Sequence, residues 1–172
     1  NENGLLVKLN ADLSVSSAIT LNGGNHEYFK SIVPVPGGGY VAYGYTYSYG
    51  SIGTYNGWIV SIDSSGSIVW QVAVKDCDCR GLSIDSSGNV YAVLLRHSRD
   101  FGFVVKFTPS GQVSWSKAIS RTGYQILVYE VLCLSNGNIV VSAASPISGK
   151  YKPILLILDA NCQLLGKKAM TD

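Results

Sequence analysis

One pattern limits this chain more than any other: a strand–turn–strand unit written four times. It is clearest at Gly57–Trp70 (GWIVSIDSSGSIVW) and Gly102–Trp115 (GFVVKFTPSGQVSW). Pro153–Gly166 (PILLILDANCQLLG) and Gly4–Ser17 (GLLVKLNADLSVSS) are more worn copies. The equivalent positions Ser17, Trp70, Trp115 and Gly166 are spaced by 53, 45 and 51 residues. Each unit is an apolar run, a tight turn built on Asp-x-x-Gly or a relative, and a second run, which is hairpin chemistry. A second hairpin alternates with the first: Ile32–Ala42, Leu82–Ala92 and Val131–Val141, with Gly38, Gly88 and Gly137 in register.

Two hairpins in every ~50 residues make four antiparallel strands per repeat, the period and content of a propeller blade. The expected fold is all-β: a partial β-propeller of a half blade plus three four-stranded antiparallel blades. The half blade (4–20) holds a C strand over 4–10 and a D strand over 13–20. The first blade (29–74) has strands A 29–35, B 39–47, C 57–63 and D 67–74. The second (80–119) has A 80–85, B 89–95, C 102–108 and D 112–119. The third (127–170) has A 127–134, B 138–144, C 153–159 and D 163–170. The whole of 1–172 reads as one propeller segment. A β-sandwich also has many short strands, but it does not demand a repeating four-strand unit.

Composition agrees and removes several function classes. The 19 glycines and 11 tyrosines favour strands and tight turns over helices. Hydrophobic residues reach 47% and mean hydropathy is +0.20, yet no apolar run approaches the ~20 residues of a membrane helix. Net charge is +2 and the basic residues are scattered, so the clustered stripe of a nucleic-acid binder is missing. The four cysteines, Cys77, Cys79, Cys133 and Cys162, have no zinc spacing and read as unpaired thiols, with a disulfide to Cys133, Cys162 or a missing segment as the alternative. The chain opens at Asn1 without an initiator Met, so the expectation is that upstream sequence was removed or that this is a piece of a longer chain.

The run Ile84–Ala92, followed by Gly102–Phe107 and Gly111–Trp115, resembles the bacterial and archaeal β-propeller repeat called SBBP, and is similar to the delta-60 repeat. The spacing Asp63, Gly66, Trp70 further resembles the tryptophan-docking repeats of quinoprotein (PQQ) propellers. The resemblance covers nearly the whole chain but is a signature of turns and packing. It implies a fold more than an activity.

In a propeller the D–A and B–C connections share one face. Here that face gathers 23–28, 76–80, 121–124, 47–56, 96–100 and 146–151, which are long and chemically varied. Variable loops on a rigid scaffold are where binding residues concentrate. Tyr43, Tyr45, Tyr47 and Tyr49 alternate, so on one strand all four would point the same way. Tyr43 and Tyr45 read as packing between blades. Tyr47, Tyr49 and Tyr55 are the candidate stacking platform, with His26, Arg96 and His97 as further candidate ligand- or partner-binding residues.

His26, Glu27, Asp76, Asp78, His97 and Asp100 lie in different loops and no spacing rule unites them, so neither a metal site nor a catalytic residue is expected. Asp63, Asp85 and Asp159 read as turn residues bonding their own backbone, and Trp70 and Trp115 as packing between blades. No cofactor is called for. The expected function is a non-catalytic binding or scaffold module, interacting with protein or glycan in an extracellular or cell-surface setting. The alternative is a fragment of a quinoprotein-like or other propeller enzyme. Its expected partners are the missing blades, from the same protein or from another chain.

Overall fold

A computed structural model describes residues 2–50, 53–99, 101–120, 126–147 and 149–169. Fourteen strands fall into four antiparallel sheets. The half blade pairs β1 (Gly4–Leu9) with β2 (Val15–Leu21). Blade 1 runs β3 (Glu27–Pro34), β4 (Tyr40–Thr46), β5 (Asn56–Ile62), β6 (Ile68–Val74). Blade 2 runs β7 (Cys77–Ile84), β8 (Val90–Arg96), β9 (Gly102–Phe107), β10 (Val113–Ile119). Blade 3 runs β11 (Leu127–Cys133), β12 (Ile139–Ile147), β13 (Lys150–Leu158), β14 (Leu164–Ala169). Strands are hydrogen-bonded in sequence order within each sheet, the meander of a propeller blade.

The apolar runs make sense only if both faces of a sheet are covered, and in blades 1 and 2 they are. In β8, Val90, Ala92 and Leu94 join the core between blades 1 and 2, while Tyr91, Val93 and Leu95 join the core between blades 2 and 3. In β5, Trp58, Val60 and Ile62 face the half blade and Ile59 faces blade 2. Successive residues point to opposite faces, so a continuous apolar run marks a strand buried on both. Trp58 is fully buried, stacked on Phe29 at 4.9 Å between centroids, and its indole N–H donates to Gln71 Oε1 at 3.1 Å.

Every inner strand carries a bulge at the same place. Register slips between Phe29 and Ser31, between Cys79 and Gly81, and between Val128 and Glu130. The extra residues are Lys30, Arg80 and Tyr129, spaced like the repeat itself. A bulge turns the strand and re-aims its side chains. Gly44 lies opposite the first bulge, where a Cβ would stand 1.8 Å from the Tyr28 carbonyl oxygen.

Three expected boundaries shift by three residues, and β12 runs on to Ile147 rather than 144. β7 starts at Cys77 rather than 80, so Asp78 is a strand residue and not a loop one. β13 starts at Lys150 and extends its hairpin with β12 beyond the expected 153. All four cysteines are free thiols; Cys77 and Cys79 are buried, and burial first of all pushes the Cys79 thiol far up.

Candidate functional site

The site is assembled where blades 1 and 2 meet, at the end of the inner strands that carries the long connections. Thr46 ends β4, and its Oγ1 accepts from the backbone N–H of Ser48 at 3.0 Å and of Tyr49 at 3.3 Å. Such a hydroxyl turn bends the chain out of the strand. The Thr46 hydroxyl itself donates to Glu27 Oε1 at 3.1 Å. Glu27 is buried, and it also accepts from the Ser48 hydroxyl and, through Oε2, from the Gly23 N–H at 2.9 Å. A buried carboxylate with three donors is a structural tie. At the far end of the loop, buried Asn56 donates to the carbonyls of Tyr49 (2.9 Å) and Thr54 (3.2 Å) and accepts from the Asp76 N–H at 3.1 Å.

This bend divides the tyrosines. Tyr43 is buried, its hydroxyl donating to the Arg80 carbonyl at 3.3 Å. Tyr45 and Tyr47 follow on the same side, with centroids 6.3 Å apart. Tyr49 leaves the series: it turns to the half-blade side and lies 6.0 Å from Trp58. Tyr55 comes back from the far end of the loop to stand 5.2 Å from Tyr45 and 6.0 Å from Tyr47.

The rings continue in both directions. His97, from the next blade, lies 4.4 Å from Tyr55, with its Nδ1 3.5 Å from Thr54 Oγ1. His26 meets Tyr47 edge-on at 6.0 Å and lies parallel to Tyr28 at 6.4 Å; its Nδ1 is 3.6 Å from Glu2 Oε2. Tyr28 closes the set at 4.8 Å from Tyr45. Of the residues expected from sequence, His26, Tyr47, Tyr55 and His97 come together. Of these, Tyr47 and Tyr55 line the pocket, and His26 and His97 touch their rings; Arg96 is not in the lining, and its guanidinium stands 5.3 Å from the Phe101 ring.

A charged floor, not foreseen from sequence, completes the site. Asp78 of β7 accepts from the ammonium of Lys30 on one oxygen and forms an ion pair with Arg80 through the other, 2.8 Å from Nε. Lys30 also lies 5.5 Å from the Tyr45 ring, a cation–π distance. Lys30 and Arg80 are the bulged residues of adjacent blades, and Tyr28 and Asp78 are equivalent positions two residues earlier. The repeat thus places an aromatic ring and a carboxylate on neighbouring spokes. Lys30, Tyr45, Tyr47, Tyr55 and Asp78 enclose a cavity of about 210 Å³. Burial, and then the Asp78 charge among others, raises the Tyr55 phenol above its ordinary value; burial and the neighbouring Tyr47 and Asp78 do the same for Tyr45. Both therefore stay protonated, able to donate as well as accept.

Residues 121–124 and Asp100, expected on the same face, lie outside the described residues. Among the described residues no three His, Cys, Asp or Glu side chains converge as metal ligands, and no helix is long and apolar enough to cross a membrane.

Comparison with known proteins bears on the fold. A solved structure of the Dos1 propeller superimposes with a TM-score of 0.63 at 13% identity, over 98% of this chain and 42% of that one. The architecture is that of a β-propeller. The chain spans less than half the length of that neighbour. No protein-family model and no curated protein matches the sequence.

Proposed function

We propose that the chain is a non-catalytic binding module, a propeller segment of the SBBP-like kind that takes a hydroxyl-rich ring, such as a glycan residue, in the cavity between blades 1 and 2. The observation that carries this is the pairing of a continuous ring surface with a fixed charged floor. Aromatic faces stack on the C–H faces of flat ligands, while Asp78, Lys30 and two neutral phenols offer acceptors and donors at fixed positions. The carboxylates nearby are already committed: Asp78 to two cations and Glu27 to three donors. That suits binding better than proton transfer, which needs a group free to change its protonation state. Exposed Tyr47 carries the site to the surface.

A glycan panel, followed by calorimetry on the binders, tests the reading. Tyr47→Ser combined with Tyr55→Ser should weaken binding about tenfold or more, since each aromatic contact contributes about 0.5–1.5 kcal/mol beyond burial. Tyr49→Ser should leave affinity unchanged while lowering stability, because that ring packs on Trp58. No glycan bound by the unaltered chain, or equal affinity of the double variant, would sink the proposal and leave a protein partner as the alternative.

A further inference from the structure

The outer strands of successive blades are held together by one recurring contact, and its failure at one seam opens a second site. At two of the three seams a side chain of the D strand rests on the turn glycine of the next blade's C–D hairpin. At the first seam, a Cβ on Gly66 would stand 2.6 Å from Ile19. At the second, a Cβ on Gly111 would stand 2.6 Å from the Trp70 ring, whose N–H donates to the Pro109 carbonyl at 3.0 Å. Both glycines have positive φ, 94° and 81°. At the third seam the equivalent turn residue is Cys162, held at φ 62°. Its Cβ occupies the space the indole would need, so Trp115 cannot dock as Trp70 does. Trp115 instead meets Tyr91 of its own blade at 6.0 Å, and its buried Nε1 finds no acceptor among the described residues.

Behind this failed contact lies a cleft of about 650 Å³ between β10 and the outer strands of blade 3. Ile119, Ile154, Leu156 and Leu158 form its walls, and among the described residues Lys117 and Lys167 are the charged ones in its lining. Sites for small ligands are concave, mostly apolar and of roughly 300–1,000 Å³. An apolar slot whose described lining contributes positive charge and no carboxylate selects both ends of a single-tailed anion. We infer that this seam binds a long-chain carboxylate, its tail against the Ile/Leu wall and its headgroup on Lys117 and Lys167. The site is separate from the aromatic cavity, and neither reading depends on the other.

Dodecanoate, dodecanol and dodecyltrimethylammonium, each titrated below its micellar concentration and read by native mass spectrometry and calorimetry, decide it. Dodecanoate should bind one-to-one and at least about tenfold more tightly than the other two, the size expected of charge-assisted contacts. Lys117→Glu with Lys167→Glu should reverse the preference toward the ammonium amphiphile. Cys162→Gly, which lets Trp115 dock and close the seam, should abolish binding, and Leu156→Trp should do so by filling the slot. The inference is overturned if dodecanoate does not bind, if all three amphiphiles bind alike, or if binding survives in a folded Cys162→Gly or Leu156→Trp protein. That last result would place the tails on other apolar surfaces.

Discussion

Asp63, Asp85 and Asp159 each turn a carboxylate back onto the hairpin they begin, as their place in the repeat suggests. Asp63 Oδ1 accepts from the N–H groups of Ser65 and Ser67, both at 2.9 Å, and Asp159 Oδ1 from Asn161 and Gln163 at 2.9 and 2.8 Å. Asp85 does the same toward Ser87 and Asn89, and its Oδ2 accepts from the Asn89 amide at 2.9 Å. Counting the Tyr91 hydroxyl on Oδ2 at 3.4 Å, Asp85→Ala strips acceptors from four donors and should cost about 1–3 kcal/mol, measured by denaturant melts. Burial alone would raise this carboxyl, but the Asn89 and Ser87 hydrogen bonds outweigh it and hold it below the ordinary 3.8. The unfolded chain therefore takes up this proton more readily than the folded one. The stability involved is complete above the unfolded value and drains as pH falls through the folded value. A melt series through pH 5 to 2 should show a steeper acid loss for the parent chain than for Asp85→Ala.

At the scale of elements, the hairpins were legible because turn chemistry and alternation are local and repeat. The inner strands were harder. Asp76-Cys-Asp-Cys-Arg80 has no apolar alternation, so it reads as a loop, whereas Cys77 to Arg80 lie in β7. What makes it a strand is tertiary: Cys77 and Cys79 enter the core between blades 1 and 2, and Asp78 is held by Lys30 from the neighbouring blade. The bulges hid the site for a related reason. A one-residue slip re-phases the side chains, so counting by twos from Tyr28 does not foretell that Lys30 and Arg80 will share one carboxylate. The tyrosine series failed at its last member because Thr46 bends the chain before Tyr49. Offset by 50 residues, Lys30 with Arg80 and Tyr28 with Asp78 was the available signal. The bulge has a sharp test in Gly44. A Cβ there meets three backbone atoms of Tyr28 and Phe29, with the Tyr28 oxygen at 1.8 Å, and backbone cannot rotate away. Gly44→Ala should cost more than about 3 kcal/mol, beyond the ordinary range of point changes. A melting temperature within a degree or two of the parent would mean that β3 and β4 are not paired as described.

On the scale of the molecule, the three internal seams are covered and the two outer faces are not. Leu5, Val7 and Leu9 alternate along β1 on the side away from blade 1 and are 58%, 47% and 49% exposed. On the far side of blade 3, Leu132, Leu155 and Ile157 are exposed in the same way. These rows have the composition of the internal seams, where the residues of β8 on both faces are buried. β1 also pairs with β2 alone, so its other edge presents unpaired N–H and C=O groups. Open edges and contiguous apolar faces drive association, and a propeller suppresses both by closing its ring. A second copy could cover an apolar face, but each copy offers the same C–D half blade and complete third blade, so among the described residues no inner hairpin is left over to pair with β1. Full closure therefore calls for a hairpin of A–B type on the free edge of β1, together with blades that meet blade 3. The 172-residue chain alone should accordingly self-associate at micromolar concentration, with light scattering giving a mass above the 18.4 kDa of one chain. Replacing Val7 and Ile157 with Lys, which places charge on both open faces, should shift it toward the monomer without unfolding it. A parent chain that stays monomeric across that range would show that these faces tolerate water, and closure would then have to be driven by the strand edge alone.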